Sequence, residues 1–266
     1  MKKVLIIEAS NRKGFSHEVA VQIQDEMSRK ATVELVELRD YDIKRCKGCC
    51  ACFSVGSSSC PLKDDDVKII LEKMEWSDGV IFVVPNYSLS VPGILKDLFD
   101  RLAFVFHRPR LFGSVCLPVI VQGVYGGKKV AKYINEAMGF WGMKEVKGVV
   151  ASGGIYPKVG LKDEIKVKNS KAIMKALDQF TKALNNEKPV QPSLFKFMIF
   201  RMTRSSMKHF DEALEPDKRY YEAKGWLDSD YYYDVEINPI KKIIGKFFDM
   251  MVKRMAIKGE KKAKAS

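Results

Sequence analysis

The chain has 266 residues, 46% of them hydrophobic and 30% charged, a balance that suits a globular protein with a sizeable core and excludes a disordered chain. That length favours one core domain with an extension over two equal domains, and no run of eighteen apolar residues offers a membrane-spanning helix. The formal net charge of +13 suits an acidic redox partner, an anionic cofactor or an anionic lipid surface. Nucleic acid is not expected, because no groove-reading motif accompanies the charge.

The N-terminus, MKKVLIIEASNRKG, sets two lysines before an apolar run. The run is too short for a signal peptide and Glu8 follows it, so residues 4–8 read as a first buried strand. The next ten residues, ASNRKGFSHE, bring Ser10, Asn11, Ser16, Arg12, Lys13 and a flexible Gly14 to the start of a helix over 16–30. Exposed backbone N–H groups and the helix dipole there favour a phosphate, with plain N-capping by Ser16 as the simpler alternative. VELVEL at 33–38 alternates as a strand does.

Next comes CKGCCACFSVGSSSCP, with Cys46, Cys49, Cys52 and Cys60. Three thiols at steps of three, with a fourth eight residues on, can supply one thiolate to each iron of a [4Fe-4S] cluster. Zinc competes, since four thiolates also satisfy a tetrahedral ion, and free or regulatory cysteines are the plainer possibility. Cys50 reads as a bystander. Thiols used in this way imply a reducing, cytoplasmic setting.

A helix over 64–76 leads to a strand at 80–85, and Pro85, Asn86, Tyr87 and Ser88 form the turn at its end. A helix over 91–106 follows, then a strand at 115–121 that carries Cys116 as an inert core residue. QGVYGG, from Gln122 and Gly123 to Gly127, leads into a helix over 128–141, a strand at 148–151 and a helix over 162–185. Strands alternating with helices predict an α/β fold, a flavodoxin-like doubly wound parallel sheet of five strands, with ligands at the strands' carboxyl ends. The segments 9–17, 39–63, 85–90 and 122–127 all fall there.

Residues 1–185 therefore read as the core domain and 186–266 as a helical or irregular extension. Its last stretch, 239–266, holds nine basic and two acidic residues. An amphipathic helix there sets Ile240, Ile243, Ile244, Phe247, Phe248, Met251, Val252 and Met255 on one face. Packing against the chain's own core or a subunit is favoured over peripheral membrane contact. Trp226 and Tyr231–Tyr233 read as core or interface filling. His17, His107 and His209 show no metal spacing, and no catalytic residue stands out.

On three motifs the first 185 residues resemble the NADPH-dependent FMN reductase group, specifically its iron–sulfur flavoprotein branch. These are ASNRKGFS against a phosphate loop like GSPRKNGNT, the CKGCCACF…C run, and PNYSLSVPGILKDLFDR against a segment like PVYFGSVSGQLKAFIDR. The resemblance implies FMN beside a [4Fe-4S] cluster and assembly as a homodimer or homotetramer. It implies Ser10, Arg12, Lys13 and Ser16 around the FMN phosphate, with Pro85, Asn86, Tyr87 and Ser88 against the flavin. Gln122 to Gly127 would close the far side. Ala9 and Asn11 stand where the family has Gly and Pro.

The expected function is electron transfer between cluster and FMN, linking a one-electron carrier such as ferredoxin to a two-electron acceptor. The first alternative is a cluster-free NAD(P)H-dependent FMN or quinone reductase. The second is a redox sensor or electron-transfer module docked to a membrane or a larger complex.

Overall fold

A computed structural model describes residues 1–154, 160–209 and 215–263, with side chains as far as Lys258. The chain divides into two compact units, Met1–Lys47 with Leu62–Glu187, and Gly48–Pro61 with Lys188–Ser266. The division differs from the sequence-based one in a telling way. The segment holding Cys49, Cys52 and Cys60 groups with the C-terminal residues rather than with the sheet.

In the first unit, β1 (Lys3–Glu8), β2 (Thr32–Glu37), β3 (Gly79–Pro85) and β4 (Val115–Gln122) are parallel in the order β2-β1-β3-β4. The fifth strand expected at 148–151 is broken in two. β5 (Lys144–Glu145) pairs with the start of β4 and β6 (Val149–Ser152) with its end. The resulting order is the doubly wound one with its switch point between β1 and β3. β3 and β4 are buried along nearly their whole length, which explains their unbroken apolar runs.

Five helices cover the sheet: α1 (Phe15–Ser28), α3 (Val67–Trp76), α4 (Gly93–Arg101), α5 (Gly127–Trp141) and α6 (Asp163–Leu184). Each buries a stripe at helical spacing, as Val19, Ala20, Ile23 and Met27 do on α1. The helix expected over 91–106 is shorter than its pattern. It ends at Arg101, and Ala103–Phe106 forms a 3₁₀ turn.

The second unit contains α2 (Ala51–Ser54), within the cysteine segment, and α7 (Leu194–His209), α8 (Glu215–Ala223) and α9 (Pro239–Ala263) from the C-terminal part. α7 packs along α9, and α2 rests against α8. A Cβ on Gly245 would come within 2.8 Å of Phe197, so glycine lets the α7 and α9 backbones approach. The core here is aromatic. Tyr231 and Tyr232 pack edge to face on Phe200, Trp226 packs likewise on Tyr221 and Tyr232, and Tyr221 and Tyr232 share a hydrogen bond of 3.1 Å. Burial pushes the Tyr232 phenol up to about 12.

Candidate functional site

Three loops follow the carboxyl ends of β1, β3 and β4 in the first unit. The first, residues 9–14, turns the chain from β1 into α1. Gly14 is the N-cap and makes no side-chain cap bond, which corrects the simpler alternative of N-capping by Ser16. Ser16 is instead a buried residue of the first turn. Glu18 N–H donates to Gly14 O at 3.1 Å, but among the described residues the N–H groups from Asn11 to His17 meet no acceptor. Seven consecutive open donors at a helix N-terminus form a ready anion cradle. Arg12 and Lys13 are exposed beside it.

Beneath the loop lies an ion network. Glu8, fully buried at the end of β1, accepts from Ser10 N at 3.0 Å and from the Ser10 hydroxyl. The same hydroxyl lies 2.8 Å from Arg12 O, so its single proton is engaged within the loop. Arg39 donates to Glu8 at 2.5 Å and also to Glu37, which pairs with His17. Burial pushes the Glu37 carboxyl up, but Arg39, His17 and Lys13 together hold it below its ordinary value of 4.5. Glu8, His17 and Glu37 offer atoms within 4.8 Å of one another, as a metal site would. Arg39 already supplies the positive charge among them, so the group works as a brace for the loop.

The second and third loops are fastened together. Asn86 N–H donates to Val121 O at 2.8 Å, and its Nδ2 to Tyr125 O at 2.7 Å. Its Oδ1 is buried without a hydrogen-bond partner. Tyr87 and Ser90 exchange backbone bonds of 3.1 and 2.9 Å around Ser88 and Leu89, whose φ angles are 50° and 65°. Two side-chain-bearing residues held left-handed in one turn is a strained arrangement that clusters at ligand sites. Gly126, with φ of 97°, lies where a Cβ would come within 2.7 Å of Leu89. Gln122 is occupied in its own loop, its Oε1 accepting from Gly127 N–H at 2.7 Å at the head of α5. Gly123 is exposed beyond it. Tyr87, Leu89, Val124 and Tyr125 stay exposed along the two loops.

Cys46 and Cys49 are exposed, while Cys52 and Cys60 are half-buried. Gly48, Cys50 and Gly56 have positive φ and turn the segment sharply. Cys49, Cys52 and Cys60 are not drawn within 4.8 Å of one another. A single zinc ion needs sulfurs roughly 3.8 Å apart. One thiolate per iron of a [4Fe-4S] cluster would need them wider apart than that.

Sequence reasoning missed the residue that fastens the ends of this segment. Arg101, buried at the end of α4, donates to Lys44 O at 3.0 Å and Leu62 O at 2.8 Å. The same guanidinium forms a two-pronged pair with Asp65, whose side chain is 3% exposed. The clue was an Asp-Arg pair, Asp100-Arg101, closing a helix whose other face is apolar. Glu8 and Arg39 were missed too, although an acid ending an otherwise apolar strand is a visible signal.

Residues 2–156 match the family model for NADPH-dependent FMN reductase. The chain belongs to that family. Within it, 206 residues are 30% identical to an iron–sulfur flavoprotein of Archaeoglobus fulgidus, covering 70% of this chain and 98% of that one. An iron–sulfur flavoprotein of Clostridioides difficile is 25% identical over 215 residues, covering 78% of this chain and 92% of its own. The structure of RosB with bound 8-demethyl-8-formylriboflavin-5′-phosphate shares the fold at a TM-score of 0.55 and 13% identity, covering 90% of this chain and 92% of that one. The protein is therefore an FMN-dependent oxidoreductase of the iron–sulfur flavoprotein kind. All three loops described above lie inside the matched residues.

Proposed function

We propose that this protein holds FMN at the three loops of the first unit and a [4Fe-4S] cluster on Cys46, Cys49, Cys52 and Cys60, and passes electrons between them. The open N–H groups from Asn11 to His17 carry the FMN half of this reading. Those donors, with Arg12 and Lys13, would take the phosphate. The partnerless Asn86 Oδ1 would accept from a ring N–H, and Tyr87 would lie against the ring. FMN exchanges one or two electrons and a cluster one, so the pair lets two turnovers of a one-electron carrier match one two-electron reaction. A ferredoxin-like protein is the fitting carrier, with NAD(P)H as the alternative two-electron donor.

The chain's own contribution is positional. Arg39 and Glu8 brace the phosphate loop, Asn86 ties the two ring loops together, and Arg101 anchors the cysteine segment at both ends. Thiols that serve as ligands imply a reducing compartment. Anaerobic visible spectra of wild type and Cys52→Ser test the reading. The wild type should show flavin bands on a broad absorbance that air bleaches, and the variant flavin bands alone. Identical spectra would favour a cluster-free flavin reductase.

A further inference from the structure

The last helix is amphipathic in the wrong sense for a helix that only supports its own domain. α9 buries Gly245, Val252 and Ala256 against its own unit. Its outer side exposes Ile240 by 68%, Ile243 by 69%, Phe247 by 58% and Met250 by 53%, and Met255 and Ile257 continue the series. The apolar stripe expected from sequence is thus divided. Val252 goes inward, while Ile240, Ile243, Phe247 and Met255 face outward. From Ile240 to Ile257 the outer stripe runs about 25 Å along the helix.

Charge decides what covers it. From 239 to 258 the helix carries Lys241, Lys242, Lys246, Lys253, Arg254 and Lys258, and one acid, Asp249. Asp249 is turned inward, accepting from Arg204 at 2.9 Å, from Ser205 at 2.6 Å and from Arg201. Those partners, against the pull of burial, hold its carboxyl below the ordinary 3.8. Lys241 is likewise engaged, donating to Pro192 O at 2.8 Å. Lys242 is paired with Asp230 at 2.7 Å, so the cations that the outer face sets beside its long apolar stripe are Lys246, Lys253, Arg254 and Lys258. Pairing with a second copy of the helix would set these cations against their like. An anionic lipid surface would take the apolar side chains at the acyl boundary and the lysines at the headgroups. Arg254, at the middle of the stripe, has the long stem that reaches headgroups from such a position. Leu194 and Phe195, exposed by 45% and 56%, open α7 at the end where Lys241 meets Pro192, adding apolar surface there.

We propose that the outer face of α9 docks this protein on anionic membrane surfaces as a peripheral, non-spanning helix. The proposal stands independently of the flavin and cluster reading. Vesicles of phosphatidylcholine with and without phosphatidylglycerol, sedimented with the full-length protein, test it. Wild type should sediment with the anionic vesicles, stay free of the neutral ones, and be released by added salt. Phe247→Glu should abolish sedimentation while its thermal melt stays that of wild type, because the side chain it replaces is exposed. Each of Lys246→Gln, Lys253→Gln and Lys258→Gln should weaken binding about fivefold. Any of these results would overturn the proposal: no sedimentation of wild type, sedimentation indifferent to Phe247→Glu, or an oligomer that Phe247→Glu dissociates without any vesicle binding. Retention of wild type by an acidic protein, with no vesicle binding, would overturn it equally.

Discussion

Arg101 shows how much one side chain can organise. Its guanidinium satisfies two carbonyls that flank the cysteine segment and neutralises Asp65, all within a largely buried pocket. Removing it alone strands a buried carboxylate and two acceptors. Arg101→Met should therefore cost about 3–5 kcal/mol in urea denaturation. Replacing both partners, Arg101→Met with Asp65→Leu, should recover part of that loss but not the iron content, because the carbonyls stay unclamped. The acid response follows from the carboxylates whose pKa is lowered on folding, Glu37 from 4.5 and Asp249 from 3.8. Each contributes stability that is fully present above its ordinary value and is lost as pH falls through its lowered folded value. Thermal melts from pH 6 downward should show stability falling below about pH 4.5, and Glu37→Gln should flatten the upper part of that fall.

At the level of elements, the ring loops depend on a close approach that only glycine permits. Gly126→Ala would place a methyl against Leu89 and force a side chain into a left-handed backbone. It should cost about 1–2 kcal/mol and weaken FMN binding, readable by flavin fluorescence titration. The strands and helices themselves were legible because their apolar spacing is regular. β1, β3 and β4 read directly as buried runs, and α1, α5 and α6 came within a few residues of their bounds. The break between β5 and β6 was not legible. Gly148 lies between the two strands, where a Cβ would come within 2.7 Å of Ala131, a contact made across the fold. The early end of α4 was hidden for a similar reason. AFVF continues the apolar pattern, yet the chain tightens there into a 3₁₀ turn.

Over the whole molecule, the candidate site was half visible. The positions of its loops followed from topology, and residue type marked the thiols and the loop at 9–14 as candidates. What braces them was not visible, because Glu8 meets Arg39 and Arg101 meets Asp65 across separations of 31 and 36 residues. Nor did any pattern reveal that Gly48–Pro61 groups with the C-terminal residues, since α2 meets α8 only after the chain has crossed the entire sheet. Under the proposed reading, this grouping gives the extension a part in holding the cluster. Trp226→Ala, opening the aromatic core beside α8, should cost about 3–5 kcal/mol in the second unit. It should lower bound iron while leaving bound flavin unchanged.

One chain is proposed to carry both redox groups. Anaerobic reconstitution of the full-length protein with iron, sulfide and FMN, followed by quantitation of all three, tests it most directly. About four irons and four sulfides are expected for each flavin, with iron and sulfide lost together in Cys52→Ser. Flavin bound without iron or sulfide, or one zinc ion held in place of the iron, would contradict it.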